Sequence, residues 1–262
     1  MNTIQIGIIG GTRGMGNWFA RFLEGEGYRV HVFGRNMGTE DIARMADTCK
    51  VVVVSVPIGV TDAIIEKIGP YMRKDALLMD LTSLKGEPVK AMLKTSVSEV
   101  IGCHPLFGPQ VGAIAGQRVV LCPARGNHWL PWLKEIFEKS GASVVETTPD
   151  IHDRMMAIIQ GLNHFNTIMI GLVLSRTGVS FSELCRFATP AFTAKAEIIQ
   201  KVFCQNPILY ADIVSLNPNI HEFIEVYEQS MAEVKKLIYQ GNASDIADMI
   251  EKYASFFKGA TP

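Results

Sequence analysis

Two short polar segments hold the side chains best suited to chemistry. Met79-Asp80-Leu81-Thr82-Ser83-Leu84-Lys85 closes one apolar run, and Gly102-Cys103-His104-Pro105-Leu106-Phe107-Gly108-Pro109 closes another. An imidazole such as His104 can take a proton from a substrate hydroxyl near neutral pH, and the Ser83 hydroxyl can orient that exchange. A lone histidine more often serves as a hydrogen-bonding core residue. The rigid Pro-Leu-Phe-Gly-Pro loop that follows at a strand end tips His104 towards catalysis, with Ser83 as its neighbour in space.

A nucleotide cofactor is signalled upstream. The first apolar run ends in Gly10-Gly11-Thr12-Arg13-Gly14-Met15-Gly16 and leads directly into a helical pattern from Asn17. Glycines there permit a sharp turn and let the backbone approach a pyrophosphate at the positive end of a helix. The spacing departs from GxGxxG, because Arg13 stands where the second glycine usually lies. Gly10 through Gly16 are the expected cofactor cradle. Ser55 and Pro57, closing the run Val51–Val56, are expected in its wall. The second run ends Phe33-Gly34-Arg35-Asn36. An NAD site wants an acidic side chain there for the ribose hydroxyls, so Gly34 in that slot and Arg35 after it favour NADP over NAD. Arg13 offers a second phosphate contact.

Such groups must be carried by a sheet. Short β-branched runs at Ile4–Ile9, Arg29–Phe33, Val51–Val56, Ala76–Leu81, Glu99–Gly102, Arg118–Leu121 and Ala142–Glu146 alternate with helical segments. Continuous apolar runs suit parallel strands buried on both faces. The alternation specifies an α/β, doubly wound (Rossmann-type) dinucleotide-binding domain over residues 1–148. From Pro149 the strand signal vanishes. Residues 149–262 read as an all-helical substrate and dimerisation domain, led by one long helix over Asp150–Arg176. Met156, Ile159, Phe165, Ile168, Ile170 and Leu174 give that helix an apolar inner face. So much apolar surface in a small helical domain is expected to complete its core in a homodimer. Asn206 before Pro207 and Asn217 before Pro218 read as helix N-caps.

Composition narrows the function. With 25 basic and 26 acidic side chains the formal charge is −1, which gives no global field for nucleic acid or an anionic membrane. The most apolar stretches, Val51–Val56 and Ile168–Leu174, fall short of the roughly 20 residues needed to cross a bilayer. The first residues run directly into a strand with no leader pattern, and five scattered cysteines form no CxxC. A cytoplasmic protein without a metal site or disulfide framework is expected.

The motifs together resemble the prephenate dehydrogenase family. The likeness runs through Gly10-Gly11…Met15-Gly16, Val54-Ser55-Val56-Pro57, Asp80-Leu81-Thr82-Ser83-Leu84-Lys85 and His104-Pro105-Leu106-Phe107-Gly108-Pro109. It continues through His152-Asp153…Met156…Gln160…His164-Phe165 and Gln205-Asn206-Pro207…Tyr210-Ala211-Asp212-Ile213. The resemblance is closest to the monofunctional form, with no chorismate mutase helix ahead of the first strand. It implies oxidative decarboxylation of prephenate to 4-hydroxyphenylpyruvate in tyrosine biosynthesis, with hydride passing to NAD(P). On that reading His104 accepts the ring-hydroxyl proton, Ser83 assists, and His164 and Gln160 meet the substrate, while His152 is structural. Lys201 stands where the family usually carries a carboxylate-clamping arginine; it binds as a point charge, or Arg186 or Lys195 serves instead, or the substrate is arogenate or a 4-amino-4-deoxy analogue. The β-hydroxyacid dehydrogenases share the architecture but rely on a lysine on the interdomain helix, where this chain has Gln160 and His164. A non-enzymatic NADP-binding redox sensor is the remaining alternative.

Overall fold

The computed structural model describes residues 4–34 and 37–259, so Arg35 lies outside the described residues. The chain resolves into two compact units, Met1–Asn217 and Pro218–Pro262.

In the first unit, seven strands form one sheet: β1 (Gln5–Ile9), β2 (Arg29–Phe33), β3 (Val51–Val54), β4 (Leu77–Asp80), β5 (Glu99–Pro105), β6 (Arg118–Arg125) and β7 (Ser143–Glu146). Their order is β2-β1-β3-β4-β5-β6-β7, the crossover order of a doubly wound fold. Pairing is parallel throughout except between β5 and β6, which run antiparallel. The helices between them are α1 (Gly14–Gly25), α2 (Thr39–Thr48), α3 (Ile58–Ile68), α4 (Gly86–Thr95) and α5 (Trp129–Lys139). Every residue of β3 and β4 is buried, as the unbroken apolar runs require. Alternation along β3 splits the core in two. Val51 and Val53 pack with Phe19, Leu23 and Phe137 on one face of the sheet, and Val52 and Val54 pack with Met45, Ile65 and Met92 on the other.

The helical part of this unit begins with α6 (Pro149–Met156), a π-helical segment at Ala157–Leu162 and α7 (Asn163–Ser175). These run as one 27-residue helix, close to the single helix expected from sequence. By length and composition it could cross a membrane, which corrects the expectation from the short apolar runs. Polar residues such as Gln160, Asn163 and His164 break the helix into short runs in sequence without breaking its overall apolarity. Ile159, expected on the inner face, is 57% exposed. After it come α8 (Phe181–Arg186), α9 (Pro190–Cys204) and α10 (Pro207–Ser215). Thr148, Ser180, Thr189 and Asn206 each cap a helix by accepting a backbone N–H, three of them just ahead of a proline. Asn217 is buried and its amide donates to the Asp153 carbonyl at 2.7 Å, while α11 starts at Ile220 with Asn219 in the cap position.

The second unit is a helical hairpin, α11 (Ile220–Gln240) and α12 (Ala243–Phe257). Gly241 takes the left-handed conformation (φ 70°) that ends α11, and Asn242 caps α12.

Candidate active site

The glycine turn is held together by close backbone approach. Gly10 has φ +80°, and a Cβ there would lie 2.0 Å from the Ser55 carbonyl oxygen. A Cβ on Gly16 would lie 2.5 Å from the Gly10 carbonyl oxygen, so the first turn of α1 sits directly on the end of β1. Gly14 has φ +55° and open space around it. Arg13 is extended (φ −149°), which explains why a non-glycine fits that slot: the left-handed positions are its neighbours. Thr12, Arg13 and Gly14 are exposed, Met15 is half-buried and Gly11 is buried. α1 has neither a side-chain cap nor an acidic residue in its first turn, which leaves its N-terminal donors available to an anion.

Beside this turn lies a cavity of about 470 Å³, walled by Ile9, Gly10, Gly34, Met37, Ile42, Val56, Pro57, Val60 and Ile64, with Lys67 at its edge. Its apolar walls suit a flat aromatic base. Pro57 lines it, as expected. Ser55 instead ties the strand ends together, its N–H donating to the Ile9 carbonyl at 2.8 Å. An open, capless helix start beside an apolar cavity fits a dinucleotide.

His104 lies three strands along the same carboxyl edge. It belongs to β5 rather than to the loop after it. The β4 ladder ends at the Asp80–Gly102 pair, whereas antiparallel β6 stays paired through Pro105. His104 therefore overhangs the end of β4, held by β6 alone. The following loop is pinned as well: Phe107 meets the Trp18 ring edge-on with centroids 4.9 Å apart, and the Trp18 indole N–H donates to the Val111 carbonyl at 2.7 Å.

The imidazole is 3% exposed, with both nitrogens engaged from the long helix. Nδ1 lies 2.9 Å from Nε2 of His152, and Nε2 lies 3.4 Å from Nε2 of Gln160. In an α-helix at 3.6 residues per turn, positions eight apart diverge by about 80°. The intervening π segment takes in an extra residue, which brings the two back towards one face. His152 in turn bonds Asp153, Nδ1 to Oδ1 at 2.7 Å. Asp153 reaches across to the start of α4, where Oδ1 accepts the Lys85 N–H at 2.7 Å and Oδ2 the Gly86 N–H at 2.8 Å.

Below His104, the fully buried Lys85 ammonium bonds the Asp80 carboxylate and donates to the Cys103 carbonyl at 2.9 Å. Thr82 completes this knot through Asp80 and the Leu84 carbonyl. Ser83 is half-buried in the same turn, with no hydrogen bond to His104. The structure thus joins His104 to His152 and Gln160, and among the described residues the Ser83 hydroxyl has no hydrogen-bond partner.

Further along the helix, His164 meets the Tyr210 ring edge-on at 4.9 Å, and Lys201 on α9 is exposed nearby. Nδ1 of His164 and Oε1 of Gln160 are buried without a hydrogen-bond partner. Burial pushes the His104 imidazole well below its ordinary range, and the neighbouring His152 and Lys85 push the same way. Burial also lowers His152, against the pull of Asp153, and burial with the Lys201 charge lowers His164. All three rings favour their neutral forms, which can accept protons.

The Asp80–Lys85 pair, Asp153 and the Tyr210 ring were not singled out for roles from sequence. A charged pair five residues apart at a buried strand end, and adjacent His-Asp near the start of the long helix, were the available signals.

Comparison with known proteins identifies the family. The family model described as prephenate dehydrogenase, nucleotide-binding domain, matches residues 19–146, and that described as prephenate dehydrogenase, dimerization domain, matches residues 148–252. The probable arogenate/prephenate dehydrogenase of Methanocaldococcus jannaschii is 36% identical over 273 residues, covering 97% of this chain and 61% of that protein. The T-protein of Haemophilus influenzae is 34% identical over 255 residues, covering 97% of this chain and 67% of that protein. The chain thus spans about two thirds of the length of these relatives. The crystal structure of prephenate dehydrogenase from A. aeolicus, in complex with hydroxyphenyl propionate and NAD+, superposes with a TM-score of 0.75 at 21% identity, covering 97% of each chain.

Proposed function

The chain belongs to the prephenate dehydrogenase family, and from that premise we propose that it oxidatively decarboxylates prephenate to 4-hydroxyphenylpyruvate. A bound nicotinamide dinucleotide supplies the hydride acceptor. The observation that carries this reading is His104, overhanging β4 at the edge that also holds the glycine turn, with Nε2 facing the Gln160 amide. β1 and β5 are three strand spacings apart, about 14 Å, a span that an extended dinucleotide can bridge.

His104 Nε2 takes the proton of the substrate C4 hydroxyl as hydride leaves C4. The C4–O bond becomes a carbonyl, the ring carboxylate departs as CO₂, and its bonding electrons pass through the ring to the C4 oxygen, which leaves an aromatic phenolate that takes up a proton to become the phenol. Aromatisation drives this loss, so the protein's task is alignment and proton removal, where alignment is worth roughly 7 kcal/mol or more in favourable cases. Gln160 and His164 present buried, unpaired polar atoms to the substrate, and Lys201 supplies charge to a carboxylate. Ser83, without a hydroxyl partner among the described residues, is available to the substrate hydroxyl and the nicotinamide. The cradle is Gly10–Gly16 with Pro57 in the wall, and Arg35 favours NADP. Residues 1–148 bind the dinucleotide, and 149–262 bind substrate and form a homodimer in the cytoplasm. The exposed Ile151, Ile159 and Val173 along the long helix support dimerisation.

Lys201 in place of arginine keeps arogenate and 4-amino-4-deoxyprephenate as alternative substrates. Absorbance at 340 nm with each substrate and each cofactor tests the proposal. A signal with prephenate is expected; nucleotide binding with no signal on any of the three substrates overturns it.

A further inference from the structure

We propose that His152 and Asp153 are positioning residues that fix the proton on Nδ1 of His104 and keep its Nε2 bare for substrate. This rests on the reading of His104 as the proton acceptor and adds what prepares it. The argument follows donors along the chain of bonds. Backbone N–H groups can only donate, so the Asp153 oxygens facing Lys85 and Gly86 act as acceptors. Oδ1, already accepting from Lys85, also faces His152 Nδ1 at 2.7 Å, which makes that nitrogen the protonated one. In a neutral imidazole the other nitrogen then carries a lone pair. His152 Nε2 is therefore an acceptor, and the hydrogen on the 2.9 Å contact belongs to His104 Nδ1. His104 Nε2 is left without a proton, facing the Gln160 amide, whose NH₂ can donate to it.

The arrangement also handles the product of proton transfer. When Nε2 takes the substrate proton, the imidazolium keeps its Nδ1–H on His152, and the Asp153 carboxylate lies behind that ring. No proton leaves the chain. Asp153 is itself held by the first N–H groups of α4 and by Asn217 on its carbonyl, so the relay is anchored at both ends. Burial of His152 (1% exposed) keeps water from replacing it as the acceptor.

Nitrogen-15 NMR of histidine-labelled protein reads the tautomer without any turnover, which separates this proposal from the function it rests on. Nδ1–H with a bare Nε2 is expected for His104 in the wild type, and the opposite tautomer overturns the proposal. In H152L, which offers no acceptor, the Nε2–H form appears and kcat falls by at least about tenfold, towards the 10²–10⁴-fold that a general base contributes. KM is little changed. H152Q, whose amide oxygen can accept from Nδ1–H, retains the tautomer and most of kcat. Equal kcat in H152L and wild type, or H152Q no better than H152L, overturns the relay. If H152L does not fold, D153A gives the same readouts: mixed tautomers and reduced kcat support the relay, and an unmixed Nδ1–H form with wild-type kcat sinks it.

Discussion

The Lys85 ammonium and the Asp80 carboxylate form an ion pair in which neither side chain has any exposed surface. The pair ties the end of β4 to the start of α4, and through the Cys103 carbonyl to β5, one residue before His104. Removing one partner strands the other charge in a dry interior, at a cost of about 3–5 kcal/mol. Lys85→Met is expected to lower the urea midpoint accordingly, and Lys85→Met with Asp80→Leu to recover part of the loss. A double variant no more stable than Lys85→Met would show that the charge left behind is not the source of the cost.

Three imidazoles, His104 and His152 buried and His164 half-buried, give stability a pH dependence. His104, His152 and His164 are held below the ordinary value of 6.5, largely by burial. Below pH 6.5 the unfolded chain binds protons at these rings while the folded chain does not, so stability falls as pH drops from there towards the folded values. Above 6.5 both states are neutral and the contribution is flat. Urea midpoints between pH 7.5 and 5 are expected to decline, with a shallower decline in His104→Gln. Parallel slopes for variant and wild type would exclude His104 as a contributor.

Gly16→Ala places a methyl against the Gly10 carbonyl, whose carbon and oxygen are backbone and cannot swing aside, so α1 must move off β1. The first-turn N–H groups move with it. A dinucleotide Kd raised by about tenfold or more is expected, equivalent to about 1.4 kcal/mol of lost binding. Calorimetric titration checks this, and an unaltered Kd would mean that the phosphates do not rest on that turn.

Arg35→Asp reverses the charge two positions after β2 in sequence, where an arginine is expected to favour the 2′-phosphate of NADP. The ratio of kcat/KM for NADP⁺ to that for NAD⁺ is expected to fall below its wild-type value. A constant ratio would assign the preference elsewhere.

Much of this architecture was legible in the sequence because its signals are local. Seven β-branched runs and the cap at Asn206 ahead of Pro207 give elements whose bounds follow from propensity and hydrogen-bond geometry. The antiparallel turn of β6 has no local signal, since Val119–Cys122 reads alike in either direction. Yet that turn extends β5 to Pro105 and holds His104. The π segment is likewise silent, because it is set by packing across the helix rather than by composition. Asn217 shows the limit most directly: its Asn-Pro context places a helix start at Pro218, but α11 begins at Ile220 with Asn219 ahead of it, and the Asn217 amide reaches to the Asp153 carbonyl.

Lys201 lies exposed on α9, close enough for its charge to depress the His164 imidazole across from it. A primary ammonium meets a carboxylate as a point charge, whereas a guanidinium offers two parallel N–H donors in a rigid plane. Lys201→Arg is therefore expected to add one charge-assisted bond to a substrate carboxylate. At a net gain of about 1 kcal/mol this lowers the KM for prephenate about fivefold. Because the carboxylate is the same in substrate and transition state, the bond stabilises both equally, and kcat stays unchanged. Lys201→Met should move KM the other way, again at constant kcat. Steady-state kinetics on both variants distinguish the outcomes: a change in kcat with KM fixed would put the cation at the reacting ring, and no change in either would remove Lys201 from the pocket.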